Sequence, residues 1–310
     1  MTSTPLPHPE VLGAIRRRQR RSVLDRGAAM LLGAAAASSI IITVGIVLVL
    51  AIESSTFFGE VGILTFLTDT VWTPLFADAR FGILPLVGGT LVTTAVALAV
   101  AMPIGTIVAI WLSEYAPHGV REVLKPALEL LSAVPTVVYG YFALLFVTPL
   151  LQKLLPELPT FNMLGAGIVM GIMIIPYVSS LSEDAMRGVP RILREGAYAM
   201  GANKLLTALK VVYPAALSGI GSAYVLAISR AVGETMIVAI AAGMQPNLTL
   251  NPTEPAATIT AFIVQVSLGD LPHGSVGYQS IFAAGVVLFV LTLGFNIAGY
   301  RLRKRFREAY

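Results

Sequence analysis

The sequence predicts an all-α integral membrane protein with six transmembrane helices, and three observations lead to this fold class. Hydrophobic residues make up 56% of the 310 residues, charged residues only 12%, and the mean hydropathy is +0.80, which is outside the range of soluble globular domains. A helix needs about 20 apolar residues to cross a bilayer, and several uncharged runs reach that length. Basic residues cluster on alternate connections between those runs, as they do in multi-pass membrane proteins.

The first two predicted spans are uncharged throughout. Residues 27–52 follow the basic run RRRQRR at residues 16–21. A signal peptide has the same polarity, but its apolar region is only about 7–15 residues long, so we expect residues 27–52 to be a retained helix. The second run, residues 81–113, follows an acidic segment and is long enough to span the membrane with an extra turn outside it.

The third and fourth spans contain residues that need an explanation. The third is predicted over residues 126–152 and carries Glu129, which is one turn inside the span and within reach of the headgroups. The fourth is predicted over residues 158–182. Its Gly167 and Gly171 have the spacing that lets two membrane helices approach closely, so we interpret them as packing residues.

The fifth span is unusually long and the sixth is regular. Residues 211–243 hold two charges, Arg230 and Glu234, and their length allows tilt or a break near Gly233. An apolar piece, residues 256–268, follows it. That piece is too short to cross, and we expect it to lie at the interface or dip into the membrane. The sixth span is predicted over residues 274–300.

Orientation follows from the distribution of basic residues. Eighteen of the 21 Lys and Arg residues lie in the two tails and in the connections after the second and fourth spans. Arg80 and Lys153 lie on the other side, and Arg230 lies in the membrane. The positive-inside rule therefore places both termini in the cytoplasm. The predicted organisation is a basic tail over residues 1–26, a six-helix membrane domain over 27–300 and a second basic tail over 301–310.

The chain carries no signature of enzymatic chemistry. It has neither a G-x-x-x-x-G-K-[ST] loop nor an H-E-x-x-H motif, and it contains no cysteine. His8, His118 and His273 lie in separate tails and loops and are interpreted as solvated. We therefore predict no catalytic residue, metal or cofactor in this chain. The pI near 9.4 reflects basic residues that flank the spans, which is an orientation signal and not a nucleic-acid surface.

A polar segment between the fourth and fifth spans is the feature around which the chain is organised. Pro190 is positioned to start a short helix within residues 190–207. Its apolar positions recur at helical spacing: Ile192, Leu193, Ala197 and Met200. Its charged positions suit water: Arg191, Arg194, Glu195 and Lys204. Gly201 lets the chain turn away without a Cβ penalty. Because the span bearing Arg230 and Glu234 follows directly, this arrangement suggests force received outside the bilayer and applied inside it.

The same segment resembles the E-A-A-x-x-x-G-x9-I-x-L-P signature of ABC importer permeases. The match consists of Glu195-Gly196-Ala197, then Gly201, then Val211, Tyr213 and Pro214 at the signature's spacing. Gly196, Val211 and Tyr213 depart from the most typical residues, but the glycine turn and the proline remain. In that family the signature forms a cytoplasmic coupling helix that docks into a cleft on the ATPase. The resemblance implies a coupling role for Glu195, Ala197, Met200, Gly201 and Pro214.

Further stretches narrow the resemblance to the phosphate-specific permeases. They are FGILPLVGGTL with AMPIGTIVAIWLSEYAP, ELLSAVPTVVYG and SRAVGETM, within roughly residues 80–245. Met236 after Thr235 resembles the PstC-type subunit, because the sister PstA type more typically continues with Ala-Pro after the Thr. The long outward segment over residues 53–80 also suits the PstC type. The resemblance implies a type I ABC importer permease fold that provides half of a phosphate path.

The resemblance also implies partners and a location. These are a second permease subunit of the PstA type, two ATPase subunits of the PstB type and an external phosphate-binding protein of the PstS type. The expected location is the bacterial plasma membrane. ATP would be bound and hydrolysed by the ATPase subunits, so this chain would contribute no hydrolytic residue.

The charges of the fifth span are candidates for the substrate path. Arg230 is the one basic residue inside a predicted span, and a guanidinium can form bidentate hydrogen bonds to phosphate oxygens. Glu234 lies four residues further on, so we expect the two side chains to share a helix face and to pair when the path is empty. A salt bridge that merely fixes helix packing is the alternative. Thr235 and Glu129 complete the candidate path, and for Glu129 a structural or interfacial role stays open.

Three other functions are alternatives to a phosphate permease. A permease for another oxyanion, such as molybdate or sulfate, is the runner-up within the same class. An ion-driven secondary transporter would use the intramembrane charges as a proton relay, but it has no ATPase for the coupling signature to dock. A structural membrane scaffold is disfavoured by the two charges buried in the fifth span.

Overall fold

The computed structural model describes residues 9–76 and 78–305. Within these ranges the chain is helical, apart from connecting segments and one antiparallel bridge between Trp72 and Phe81. The helices, numbered in chain order, are α1 Pro9–Glu60, α2 Ile63–Thr68, α3 Leu84–Tyr115, α4 His118–Ala133, α5 Thr136–Gln152, α6 Met163–Arg187, α7 Arg191–Ala199, α8 Lys204–Ala215, α9 Leu217–Val232, α10 Met236–Ala241, α11 Ile259–Gly269 and α12 Val276–Arg305. The predicted all-α fold class is confirmed.

The chain divides into two compact units, Met1–Ile52 and Glu53–Tyr310. In the first unit the described residues form helix α1, which begins at Pro9 and includes the whole predicted first span. Asp25–Glu60 is long and apolar enough to cross a membrane, as predicted. Residues 1–8 of the predicted basic tail lie outside the described residues, and the rest of that tail already belongs to α1.

Three further helices confirm the predicted second, fourth and sixth spans. They are Leu84–Tyr115, Met163–Arg187 and Val276–Arg301. Helices α3 and α6 pack closely because glycines face the neighbouring helix. A Cβ atom on Gly171 would lie 2.7 Å from the carbonyl oxygen of Ala97, and one on Gly167 would lie 2.7 Å from Val96. Gly105 makes the reciprocal close approach from α3. The packing role predicted for Gly167 and Gly171 is therefore confirmed.

The predicted third span, residues 126–152, is not one straight helix. Helices α4 and α5 meet at 87°. Val134, between them, has extended backbone with φ −65° and ψ 130°, because a following proline disfavours the helical region and Pro135 has no N–H to continue the helix. Pro126, expected near the start of the span, lies inside α4. The correction leaves α4 as a separate helix in which no residue is buried.

The predicted fifth span, residues 211–243, is broken twice. Helices α8 and α9 meet at 72° around Ala216, just after Pro214 has removed one backbone donor; this break corrects the prediction. Helix α9 then ends at Val232, and Gly233 follows as its cap with φ −88° and ψ −1°, which confirms the break expected there. If each bent pair counts as one span, the described residues contain six candidate spans by length and composition.

An aromatic cluster connects the segment before α3 to the short helix α11. Its rings pack edge to face, and the ring centroids of Trp72 and Phe262 are 4.9 Å apart. The other members are Phe57, Phe66 and Phe81. Helix α11 covers most of the apolar piece predicted to be too short to cross, and its first turn is buried within the protein. The Thr258 hydroxyl caps this turn by accepting the Ala261 N–H at 3.2 Å.

Candidate functional site

Helix α7 and the glycine that follows it form the first candidate site. Pro190 is the N-cap, with φ −55° and ψ 136°, and the helix covers Arg191–Ala199. Gly201 has φ +82°, a left-handed conformation that favours glycine. The predicted helix start and glycine turn are thus confirmed. A second helix, α8, begins after Asn203, whose side chain caps it, so the helical region predicted within residues 190–207 is two short helices.

The four apolar residues of the α7 segment differ in their exposure. Ile192 and Met200 are exposed, at 74% and 88%, whereas Leu193 packs against the buried apolar cluster at the end of α6. Successive residues of an α-helix point about 100° apart, so the four positions lie within about 140° of one another on one side of the helix. Ala197 is half-buried and Glu195 is exposed. The protein therefore covers part of this apolar side, and Ile192 and Met200 are its exposed part.

Arg194 fastens α7 to the rest of the protein. Its Nη2 atom donates to Glu114 Oε1 at 2.9 Å and to the Met186 carbonyl at 2.8 Å. Its Nη1 atom donates to the Val189 carbonyl at 2.7 Å, and the Glu114 side chain is nearly fully buried. The interpretation of Arg194 as a solvent-facing residue is wrong, because its guanidinium lies on the inner side of α7.

Glu183 is a fully buried carboxylate near the end of α6. Lys125 of α4 donates to its Oε2 atom at 2.7 Å, while Arg121 and Arg187 approach its Oε1 atom at 3.7 and 3.8 Å. Lys125 also donates to the exposed Asp184. The fourth span was predicted to end at residue 182, but α6 continues to Arg187. The cations of α4 compensate a buried carboxylate that the apolar run alone would not tolerate.

Arg230 lies in the last turn of α9, in the second half of the bent fifth span. The central carbon of its guanidinium lies 4.6 Å from the centroid of the Tyr177 ring, on α6. Its Nε atom is buried and has no hydrogen-bond acceptor. The ion pairs within 4.0 Å that the described residues form do not include Arg230. The guanidinium therefore rests on an aromatic face, and no acidic side chain of residues 9–76 and 78–305 pairs with it.

Glu234 does not pair with Arg230, which corrects the predicted ion pair. The Glu234 carboxylate accepts the Met236 N–H at 3.2 Å, and its backbone carbonyl accepts the Thr260 hydroxyl of α11 at 2.7 Å. The expectation assumed a continuous helix, in which residues four apart are neighbours. Because α9 ends at Val232, Arg230 and Glu234 do not belong to one continuous helix and the spacing argument does not apply to them.

Thr235 and Glu129, the other two predicted path residues, form hydrogen bonds with groups other than Arg230. The Thr235 hydroxyl donates to the Gly233 carbonyl at 3.3 Å, so it belongs to the same helix break as Glu234. Glu129 is exposed on α4 and accepts the hydroxyl of Ser180, on α6, at 3.1 Å. In the part of the chain that the structure describes, no group of three or more His, Cys, Asp or Glu side chains is placed to hold a metal ion.

Similarity to known proteins decides the family. The family described as binding-protein-dependent transport system inner membrane component matches residues 101–308. The chain belongs to this family. The permease is 34% identical to the probable ABC transporter permease YqgH of Bacillus subtilis over 280 residues, which is 90% of each chain.

Two phosphate transport relatives are nearly as similar to the permease. It is 34% identical to the phosphate transport system permease PstC of Mesorhizobium japonicum, over 77% of this chain and 78% of the relative. It is 32% identical to PstC 1 of Mycobacterium tuberculosis, over 78% of this chain and 77% of the relative. These similarities confirm the resemblance to PstC-type permeases.

Two solved structures share the fold of the permease. A bacterial alginate ABC transporter in complex with an alginate pentasaccharide-bound periplasmic protein gives a TM-score of 0.63 at 18% identity, covering 91% of the permease and 96% of that chain. The inward-facing MetNI methionine ABC transporter gives 0.54 at 16% identity, covering 73% and 94%. At these identities the likeness concerns the fold alone, and it confirms the predicted importer-permease architecture.

Three residues of the site are absent from the predicted set: Tyr177, Glu183 and Arg194. Tyr177 is the one tyrosine in the predicted fourth span and follows Pro176. A lone tyrosine in a membrane helix could therefore have been recognised in the sequence as a candidate site residue. Glu183 directly follows the apolar run of the fourth span, and one more helical turn would include it in that helix. No comparable local signal marks Arg194, whose acceptor Glu114 is 80 residues away.

Proposed function

We propose that the permease is the membrane subunit of an ATP-driven phosphate importer and forms half of its translocation path. The relatives named PstC are phosphate transport system permeases. An unpaired arginine is costly within a bilayer, so an anion or water is expected to complete the surroundings of Arg230. A guanidinium binds phosphate oxygens in a bidentate manner. The observation that carries this proposal is the Arg230 guanidinium, which contacts an aromatic ring and pairs with no acidic side chain in the described part of the chain.

The proposed path residues are Arg230, Glu234, Thr235 and Glu129. Arg230 receives the phosphate. Glu234 and Thr235 form the helix break between α9 and α10, and the Met236 N–H holds the Glu234 carboxylate there. The role of Glu234 is therefore to shape this break and to keep a second anion away, and not to hold Arg230. Glu129 lines the path where α4 meets α6.

Helix α7 is the proposed coupling helix to the ATPase. The coupling residues are Glu195, Ala197, Met200, Gly201 and Pro214. Met200 and Ile192 offer exposed apolar surface to a cleft on the ATPase, and Gly201 directs the chain away from that cleft. Arg194 carries a displacement of α7 to Glu114 at the end of α3, because the two side chains are joined by a partly buried ion pair.

The permease acts as part of a larger assembly. Its family belongs to binding-protein-dependent transport systems, and ABC importer permeases work with a second permease, an ATPase and a substrate-binding protein. We propose a PstA-type permease as the heterodimer partner, two PstB-type ATPases and a PstS-type phosphate-binding protein. The proposed setting is the bacterial plasma membrane with both termini in the cytoplasm. A reporter that works only after export should then be inactive when fused after Tyr310, and activity there would contradict this orientation.

Uptake of labelled phosphate by cells that lack only this chain tests the proposed function. Restoring the chain should restore uptake, with arsenate as a competitor and with sulfate and molybdate as weak competitors. Strong competition by molybdate or sulfate would support a permease for another oxyanion. Uptake that persists without the ATPase and stops when ion gradients collapse would support a secondary transporter.

A further inference from the structure

The contact between Arg230 and Tyr177 joins two helices at the proposed oxyanion site. Arg230 comes from the last turn of α9, and Tyr177 comes from α6, directly after Pro176. The guanidinium carbon lies 4.6 Å from the ring centroid, which is within the about 6 Å over which an aromatic face attracts a cation. The ring is the one aromatic face that the described residues place against this guanidinium.

The guanidinium of Arg230 contacts a ring and not the carboxylate that was expected. The Glu234 carboxylate accepts the Met236 N–H, and the buried Nε atom of Arg230 has no acceptor. A carboxylate would occupy the same N–H donors that a phosphate needs, because both anions accept hydrogen bonds from the guanidinium through their oxygen atoms. A ring face attracts the positive charge without accepting those hydrogen bonds. The Nη1 and Nη2 donors, which form no hydrogen bond among the described residues, therefore stay available to an oxyanion.

Helix α6 is a firm support for such a ring. Its glycines bring it into close contact with α3 on one side, and the neighbouring Val178 and Ser179 are buried. Tyr177 is itself half-buried. A side chain between buried neighbours on a closely packed helix has few alternative positions, so the ring holds its orientation when no anion is present.

We propose that Tyr177 is the positioning residue of the oxyanion site, holding the Arg230 guanidinium by its face so that its N–H edge is presented to phosphate. The proposal rests on the proposed function, because it assumes that Arg230 meets the transported anion. It assigns the work to the ring and not to the hydroxyl. It also explains how an arginine without an acidic partner is retained within a membrane domain.

Substitutions of Tyr177 test the proposal in proteoliposomes that contain the whole transporter and phosphate-loaded binding protein. The measured quantity is phosphate imported per ATP hydrolysed. Tyr177→Leu removes the ring face and should lower this ratio about tenfold, the size expected for one desolvated cation–π contact, while ATP hydrolysis continues. Tyr177→Phe keeps the ring and should leave the ratio unchanged. Tyr141→Leu is the matched control, because it removes an exposed tyrosine of α5 and should have no effect.

Several outcomes would overturn the proposal. An unchanged ratio in Tyr177→Leu would show that the ring does not position Arg230. An equal loss in Tyr177→Phe and Tyr177→Leu would show that the hydroxyl is the important group. A parallel loss of ATP hydrolysis and uptake in Tyr177→Leu would show a merely structural role.

A fluorinated series keeps the test decisive if Tyr177→Leu does not assemble. Phenylalanine with one, two and three ring fluorines at position 177 preserves shape while weakening the negative face of the ring. The ratio of phosphate to ATP should fall stepwise along the series, and a flat series would refute the proposal. Arg230→Lys separates the two levels of inference. If Arg230→Lys loses transport and the fluorinated series is flat, only the role of Tyr177 is refuted. If Arg230→Lys transports phosphate normally, the proposed oxyanion site itself is refuted.

Discussion

Glu183 and Arg230 are both charged residues held within the same helical unit, but their surroundings differ. The Glu183 carboxylate is fully buried and meets Lys125, Arg121 and Arg187. The Arg230 guanidinium meets the Tyr177 ring and no acidic side chain among the described residues. A carboxylate surrounded by three cations has its charge compensated by the protein, whereas the guanidinium has not. The difference teaches that a compensated charge serves the structure, and that an uncompensated one is available to a ligand.

Neutralising Glu183 should have the largest effect, because Arg121 loses its acidic partner and Lys125 keeps only the exposed Asp184. Breaking a buried ion pair costs roughly 3–5 kcal/mol, and the partial exposure of the two cations puts Glu183→Gln near the lower value. We expect lower thermal stability of the purified complex and less assembled complex in membranes. Glu122→Gln, at an exposed site on α4 that pairs with an exposed histidine, is the control. Equal melting temperatures of both variants and the wild type would show that the compensated charge of Glu183 does not stabilise the structure.

Replacing Arg230 by lysine should affect transport and spare stability. Lysine keeps the charge but loses the planar fork, so phosphate uptake should fall by about tenfold or more. No ion pair is broken, so the melting temperature of the complex should stay close to that of the wild type. Arg80→Lys is the matched control, because Arg80 is exposed and pairs with Asp69. A melting temperature as low as that of Glu183→Gln would contradict the comparison.

Gly201 and Gly196 of the coupling segment allow a second comparison, between a glycine that the backbone conformation requires and one that it does not. Gly201→Val forces a β-branched side chain into φ +82°, which costs about 1–2 kcal/mol and should redirect the chain leaving α7. We expect ATP hydrolysis that no longer drives phosphate uptake. Gly196→Ala is the control, because a Cβ there meets nothing within 4 Å and alanine favours helix. Normal coupling in Gly201→Val would argue against docking at this helix.

The smallest effect should come from Glu254, a partnered carboxylate in the connection between α10 and α11. Hydrogen bonds from Thr249, Asn251 and Asn247 hold the pKa of Glu254 below its ordinary value of 4.5. A depressed pKa in the folded state contributes stability above the unfolded pKa, and this contribution is lost as the pH falls through the folded pKa. Between pH 5 and pH 3 the wild type should therefore lose slightly more thermal stability than Glu254→Gln. Identical pH profiles would show that these hydrogen bonds do not stabilise the fold.

Hydropathy predicted the long spans because a bilayer imposes a length that can be counted. It did not predict the bend at Val134 and Pro135, because proline is tolerated in membrane helices when neighbouring groups satisfy the freed carbonyls. Which outcome occurs depends on tertiary contacts of α4, and those contacts come from Lys125 and Arg121 reaching Glu183. That residue is distant in sequence.

The sequence predicted Arg230 and Gly201 of the candidate site, but it did not predict Tyr177 or the contacts that the site residues make. Arg230 stands out as a lone basic residue in an apolar run, and Gly201 stands out through the signature. The pairing with Glu234 failed because the spacing argument holds only inside a helix, and Gly233 ends it. Arg194 was misassigned because a charged residue on a short surface helix faces water by default, and only the fold brings Glu114 to its inner side.

The glycine contacts between α3 and α6 have a mechanical consequence. Close approach at Gly105, Gly167 and Gly171 interlocks the two helices, so sliding or rotating one past the other would drive side chains into backbone. Together they form a stiff frame. The corner between α8 and α9 is tied to the same frame, because a Cβ atom on Gly219 would collide with the Cβ atom of Ala185 on α6. This corner lies between the coupling helix and Arg230, so a displacement of α7 should move the start of α9 and α6 together and not bend the chain between them.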